Sequence, residues 1–460
     1  MEHTLGTPQK ALQINIDLKK FGTFAEIGAG QEVARWFFQA GRASGTVAKS
    51  ISAYDMAISD DLYGAVGHYV SRERLESMLS HEFDQLLRRQ PAKPSQPKAL
   101  FVFADTVATQ SHTHGGQGWM GVRFQETPGG ETSEILIHFA LSDPETVHEQ
   151  EAVGILGVNL IHAAFYFNHD SKLCANSLMD GLSRRRVEVD MIKFSGPVFA
   201  SVDNRLMSLQ LVENALTDAA MFTAAGEVVQ PSEVLYGKRV LIERGSFRPV
   251  TNVTLDMLVR AEHQLQEDHP ADGEERVALM EMTLNNLMSA ATIDHQDFLD
   301  RVDLLGALGK TVMISNYTRF DAVTSYLRKS TQNWIAMVMG VPTLSEIFDE
   351  KYYTDLPGGI LQGLGTLFAG KVELLIYPTR ISTDGQLSTA DSLEIPDGQK
   401  RLYEHLREKG SIGAIREFDE AQLHVAPGEV LQKLQAGDPA WRYMVPPQVA
   451  DLITQRKLFM

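Results

Sequence analysis

Over the first 170 residues the apolar positions switch repeatedly between extended and helical spacing. Gly22-Thr23-Phe24-Ala25-Glu26-Ile27 is a nearly unbroken apolar run carrying one acid, and Gly28-Ala29-Gly30 ends it. Behind the glycines, Val33, Trp36, Phe37 and Ala40 fall three and four residues apart, which lines one face of a helix. Residues 46–52 predict a second strand. Leu75, Met78, Leu79, Phe83, Leu86 and Leu87 predict an amphipathic helix over 71–89. Pro91, Pro94 and Pro97 follow, and proline has no N–H with which to continue a helix. Runs at 99–104, 119–124 and 135–139 predict three strands, with Pro128-Gly129-Gly130 turning the second into the third as a hairpin. A buried helix is expected over 153–167.

Further along, apolar runs at 187–194, 219–223, 239–242, 311–315, 334–339 and 372–377 alternate with helical stretches. That alternation predicts βαβ units and a mainly parallel sheet. The longest interruption, 274–308, places Met280, Leu284, Leu287, Met288 and Ala291 at helical spacing and is read as a packed helical hairpin. A terminal helix is expected after Pro446-Pro447. The fold class expected is therefore α/β. An N-terminal α/β or α+β region spans 1–185, and a domain with a mostly parallel sheet and flanking helices spans 186–460, the boundary falling between about 170 and 235.

Composition narrows the function. The 460 residues carry a formal net charge of -17, which repels phosphate backbones and argues against a nucleic-acid partner. A single positive cleft for a small phosphorylated ligand remains compatible with it. The lone Cys174 forms no internal disulfide and fits a reducing compartment. No run reaches the roughly 18 apolar residues of a membrane helix, and the N-terminus lacks a signal-peptide pattern. A cytoplasmic protein without a membrane partner is expected, and homo-oligomerisation is compatible with the sequence.

The most informative motif is Gly245-Ser246-Phe247-Arg248-Pro249-Val250-Thr251-Asn252-Val253-Thr254-Leu255, between the predicted strand at 239–242 and a helix. A glycine turn at that place lets backbone N–H groups and the helix dipole hold a phosphate. Ser246, Thr251, Asn252 and Thr254 add donors, and Arg248 adds charge. This stretch resembles the first motif of the nicotinamide and nicotinate mononucleotide adenylyltransferases, Gly-Ser-Phe-x-Pro-x-Thr-Asn-x-His-Leu. Gly245, Ser246, Phe247, Pro249, Thr251, Asn252 and Leu255 match it. The resemblance implies ATP with Mg²⁺ as cofactor and in-line transfer achieved by positioning. Thr254 stands where that motif has histidine, and a hydroxyl carries no positive charge. The second signature of those enzymes is matched only loosely by Ile314-Ser315-Asn316-Tyr317-Thr318-Arg319, at the wrong spacing. The whole chain is also similar to a bacterial family of unassigned activity.

Other constellations compete. His112 and His114, in a glycine-rich loop, suggest either a metal-dependent hydrolase or a loop that closes on a ligand, although no further ligands at metal spacing accompany them. Asp190 and Lys193 interrupt an apolar strand, where charge is costly unless paired or at a cleft. Glu26 and Lys49 would lie near the ends of adjacent strands. Gly28-Ala29-Gly30 lacks the third glycine of a dinucleotide fingerprint. Asp105-Thr106-Val107 lacks the second aspartate of an aspartyl-phosphatase start. The expected function is a small-molecule enzyme for a phosphorylated or nucleotide-containing ligand, with Gly245, Ser246, Phe247, Thr251, Asn252 and Thr254 binding it. Arg248, His114, Asp190 and Lys193 are the catalytic candidates, and no metal ligand is assigned. The alternative is a non-catalytic nucleotide-binding or assembly protein.

Overall fold

Two separate sheets collect the apolar runs. The computed structural model describes residues 5–89, 97–111, 115–270, 275–289, 292–380 and 386–459. It divides into two units, Met1–Thr217 and Asp218–Met460.

The first unit has a six-stranded sheet of β1 (Lys20–Gly28), β2 (Val47–Ala53), β3 (Ala99–Ala108), β4 (Gly116–Gln125), β5 (Thr132–Leu141) and β6 (Val187–Ser195), in the order β2-β1-β3-β4-β5-β6. β1 runs parallel to both β2 and β3, and the remaining pairs are antiparallel. The helices are α1 (Thr7–Ile16), α2 (Val33–Ala40), α3 (Met56–Tyr63), α4 (Arg72–Arg88), α5 (Thr146–Tyr166), α6 (Ser171–Ser177) and α7 (Asn204–Glu213). A Cβ on Gly157 of α5 would lie 2.4 Å from Val33 of α2, so these two helices touch over the face bearing Phe24 and Phe103. On the other face Leu79 of α4 reaches Gly121 of β4. α5 is buried without a break from Ala152 to Ala164 and is apolar there except for Asn159 and His162, as expected of a helix inside a layer.

The second unit has an eight-stranded sheet. Its strands are β7 (Ala219–Phe222), β8 (Val228–Val229), β9 (Arg239–Arg244), β10 (Arg276–Thr283), β13 (Thr311–Ser315), β14 (Ile335–Gly340), β15 (Val372–Tyr377) and β18 (Ile412–Ala414). Two two-residue hairpins, β11–β12 (Met288–Ser289 with Thr292–Ile293) and β16–β17 (Thr379–Arg380 with Leu387–Ser388), stand outside it. The order is β18-β15-β14-β9-β10-β13-β7-β8. From β18 to β13 every pair is parallel, and β7 and β8 close the edge antiparallel.

The strand at 187–194 pairs with β5 and belongs to the first unit, and the division falls after Thr217, inside the expected range of about 170 to 235. One expectation is corrected: 274–308 is not a helical hairpin, since β10 sits at its start, between β9 and β13. A strand buried on both faces reads as a continuous apolar run, which Met and Leu spacing cannot separate from a helix. Only the single turn Leu284–Leu287 and the helix His295–Ala307 are helical there, and Ala291 lies outside the described residues. Among the described residues no helix is long and apolar enough to cross a membrane.

Candidate functional site

The parallel strands of the second unit follow the order β13-β10-β9-β14-β15-β18, so chain direction across the sheet reverses between β9 and β14. In doubly wound sheets ligands usually bind beyond the carboxyl ends of the strands at such a reversal. The Gly245 loop is the first βα turn of this arrangement. It joins β9 to the helix Asn252–Asp268, whose N-cap is Thr251.

The loop is tied down on both sides. The Gly245 N–H donates to the Glu281 carbonyl at 3.1 Å. A Cβ on Gly245 would lie 2.9 Å from the ring of Phe247, which is itself buried at a left-handed φ of 47°. Arg301 Nη1 donates to the Ser246 carbonyl at 3.0 Å, and Arg301 Nε donates to Asp297 at 2.7 Å. The half-exposed Arg248 brings Nε to 2.5 Å from Asp297 Oδ1. Thr251 is fully buried, with its hydroxyl 3.1 Å from that of Thr254. Asn252 donates its N–H to the Met444 carbonyl and its Nδ2 to the Tyr443 carbonyl, both at 2.9 Å. Two donors assigned to phosphate from sequence, at Gly245 and Asn252, are thus satisfied by protein carbonyls. Arg248 retains its terminal nitrogens beyond the one ion pair.

A buried network fixes the strand ends beneath this turn. Arg244 Nε and Nη2 each donate to Glu281 at 2.9 Å, and Ser315 Oγ donates to Glu281 Oε1 at 2.6 Å. Arg244 also donates to the Thr318 carbonyl at 3.1 Å and lies 4.2 Å above the Phe320 ring. The carboxyl ends of β9, β10 and β13 are joined by these contacts. From 314–319, which loosely resembled a second signature, Ser315 and Thr318 enter this network.

In the first unit the structure pairs one candidate with a residue not chosen for chemistry. His138 Nδ1 lies 2.5 Å from Asp190 Oδ1. The pair depends on a β-bulge: Phe139 aligns with Val189 and His138 with Met191, so Asp190 is the extra residue opposite His138. Bulges re-aim side chains in this way, and simple alternation along β6 does not reveal it. Trp119 packs edge-on against His138 with centroids 4.9 Å apart, and the Arg72 guanidinium lies 5.2 Å from the Trp119 centroid. Lys193 sits opposite Leu136 on the same strand. His112 and His114 lie outside the described residues.

Glu26 and Asp105 form a second cluster that sequence reading did not assemble. They are register partners on parallel β1 and β3, both buried. Glu26 accepts from the Val33 N–H at 2.8 Å at the start of α2. Burial, with help from Glu32, pushes the Glu26 carboxyl up to about 7, against the pull of those N–H groups. Burial and then the Glu26 charge push Asp105 well above the carboxylate range. Lys49 aligns with Thr23, not Glu26, and pairs with Glu82. Among the described residues no group of three or more His, Cys, Asp or Glu is arranged to hold a metal.

The second unit is thus a doubly wound α/β unit with a glycine-bearing first turn at its switch point, and the first is a three-layer α/β unit on a mixed sheet. No protein-family model and no curated protein matches the chain. Solved structures similar to part of it include a competence/damage-inducible protein, CihA, from Agrobacterium tumefaciens, with 17% identity and a TM-score of 0.26 over 35% of this chain and 98% of that one. Another is a competence-damaged protein (CinA) superfamily member from Enterobacter cloacae, with 12% identity and a TM-score of 0.27 over 36% and 95%. A third, a competence or damage-inducible protein from Enterobacter asburiae, has 13% identity and a TM-score of 0.26 over 35% and 98%.

Proposed function

We propose that the second unit binds a phosphorylated or nucleotide-containing small molecule beyond the carboxyl ends of β9 and β14. The strand order carries this reading, since it makes the Gly245 loop the first βα turn at the switch point. Arg248 supplies the positive charge, held in place by Asp297, while the Ser246 and Thr254 hydroxyls supply neutral donors. Transfer chemistry of the adenylyltransferase kind is the enzymatic form of this proposal, and ligand binding without turnover is its other form. Asp297 and Glu281, which contact the loop or its flanking strand, are each engaged by arginine. Their oxygens are therefore committed to arginine, and Mg²⁺ would reach the site on the phosphates of the ligand.

A thermal-shift screen with ATP, the two mononucleotides and NAD, with and without Mg²⁺, tests the proposal. A ligand at a hundredfold excess over its dissociation constant adds about 2.7 kcal/mol of stability. Arg248→Ala leaves Asp297 paired with Arg301 and is expected to weaken binding by roughly 10- to 100-fold, the worth of one charge-assisted hydrogen bond. No shift with any of the four compounds, or an unchanged affinity in Arg248→Ala, rejects the loop as the site. With binding established, an adenylyl-transfer assay separates the two forms.

A further inference from the structure

In the first unit the start of α2 is held by a residue of the sheet beneath it. Glu32, at the N-cap, makes no side-chain cap hydrogen bond. The first N–H groups of a helix have no partner inside it, and here Glu26 of β1 serves two of them. Its Oε1 accepts from the Val33 N–H at 2.8 Å and its Oε2 from the Ala34 N–H at 3.3 Å. An ionised carboxylate suits that place, since helix N-termini favour negative charge.

Its neighbour lacks such support. Asp105, the register partner of Glu26 on β3, is fully buried, and neither of its oxygens accepts a well-formed hydrogen bond among the described residues. The Ile27 N–H favours its charged form, but burial and the Glu26 charge outweigh that. The turn Gly28-Ala29-Gly30 closes over it: a Cβ on Gly30 would lie 2.0 Å from Asp105 Oδ1. Among the described residues no surrounding element brings a cation to the pair. Glu26 lies opposite Ser52 on β2, and Asp105 opposite Met120 on β4. α5 meets α2 at Gly154 and Gly157, its buried Glu149 accepts from the Gln110 N–H, and Lys10 of α1 is held by Asp180. On α2 itself Glu32 adds negative charge and engages Arg35 at 2.9 Å. Two buried carboxylates side by side resist a second charge, which only water can then relieve.

We propose that the last proton of this pair is a latch: while it stays, the turn 28–30 and the start of α2 remain closed, and its loss admits water beneath Gly30 and uncaps the helix while the rest of the unit stays folded. A carboxyl that is protonated when closed and ionised when open releases a proton on opening. Raising the pH therefore eases opening about tenfold per unit.

Native-state hydrogen exchange of the full chain, at low urea and with rates corrected for the chemical step, tests the latch. Amides of 29–36 are expected to exchange through an opening that urea scarcely promotes, whereas those of β5 follow unfolding of the unit. Protection of 29–36 should fall about tenfold per pH unit, and keep falling above pH 7, where the Glu26 contribution has levelled off. Asp105→Asn keeps the shape and removes the second charge, so the fall above pH 7 should vanish. Exchange of 29–36 that tracks β5 at every urea concentration would overturn the proposal, as would protection that stays constant above pH 7. Both of these measurements use the wild-type chain alone. A fall that persists above pH 7 in Asp105→Asn would overturn it as well.

Discussion

Glu281→Ala is expected to destabilise the second unit by about 3–5 kcal/mol, the cost of stranding one partner of a buried ion pair. Glu281 is completely buried, and Arg244 places two nitrogens on it at 2.9 Å while Ser315 donates a third hydrogen bond. Removing the carboxylate leaves the Arg244 guanidinium, whose side chain is 13% exposed, with the Thr318 carbonyl and the Phe320 ring but no counter-charge. Glu281→Gln keeps the shape and an acceptor for Ser315, and should cost less. Urea unfolding of both variants measures the difference. A Glu281→Ala transition within 1 kcal/mol of wild type would show that the strand ends are not held by this network. Because β9, β10 and β13 meet there, the variant should also loosen the Gly245 turn and reduce ligand response by more than stability alone explains.

Glu26 alone is expected to cost the first unit about 3 kcal/mol of stability between pH 5 and 8. Burial raises the Glu26 carboxyl from an ordinary value of 4.5 to about 7. A raised acid holds its proton more tightly in the folded chain than in the unfolded one. The Glu26 contribution to stability is therefore greatest at low pH, falls as pH rises above about 4.5 and levels off above about 7. Asp105 is raised as well, by burial and then by the Glu26 charge, and adds to the same fall in stability as pH rises. Wild type should unfold at lower urea concentration at pH 8 than at pH 5, and Glu26→Gln with Asp105→Asn should flatten the difference. A wild-type midpoint that does not move with pH would mean that the pair is solvated.

Much of the fold was legible because local patterns and global packing agreed. The runs at 22–27, 99–104, 187–194 and 372–377 are strands in the structure, and the helix expected over 71–89 is Arg72–Arg88 with Ser71 as its N-cap. Pro447 starts the last helix, where a missing N–H costs nothing. The α/β class and the largely parallel second sheet follow from strand–helix alternation alone. Residues 276–283 were not legible as a strand, because burial on both faces erases the period that distinguishes the two structures.

The candidate site divides in the same way. Composition and the glycine turn pointed to the Gly245 loop, and its place between β9 and the following helix was readable. Which of its donors the protein itself satisfies was not, because Glu281, Arg301, Tyr443 and Met444 come from distant parts of the chain. Asp190 was singled out as a costly charge in a strand, yet only the bulge between β5 and β6 shows that His138 answers it. Glu26 and Asp105, 79 positions apart, are neighbours only through parallel register. The sequence by itself determined the alternation of strands and helices, the acidic surface and the glycine turn, since each depends on neighbours along the chain. Strand order, the switch point, the buried Arg244–Glu281 pair and the Glu26–Asp105 pairing were decided by tertiary structure, because each depends on which segments meet in space.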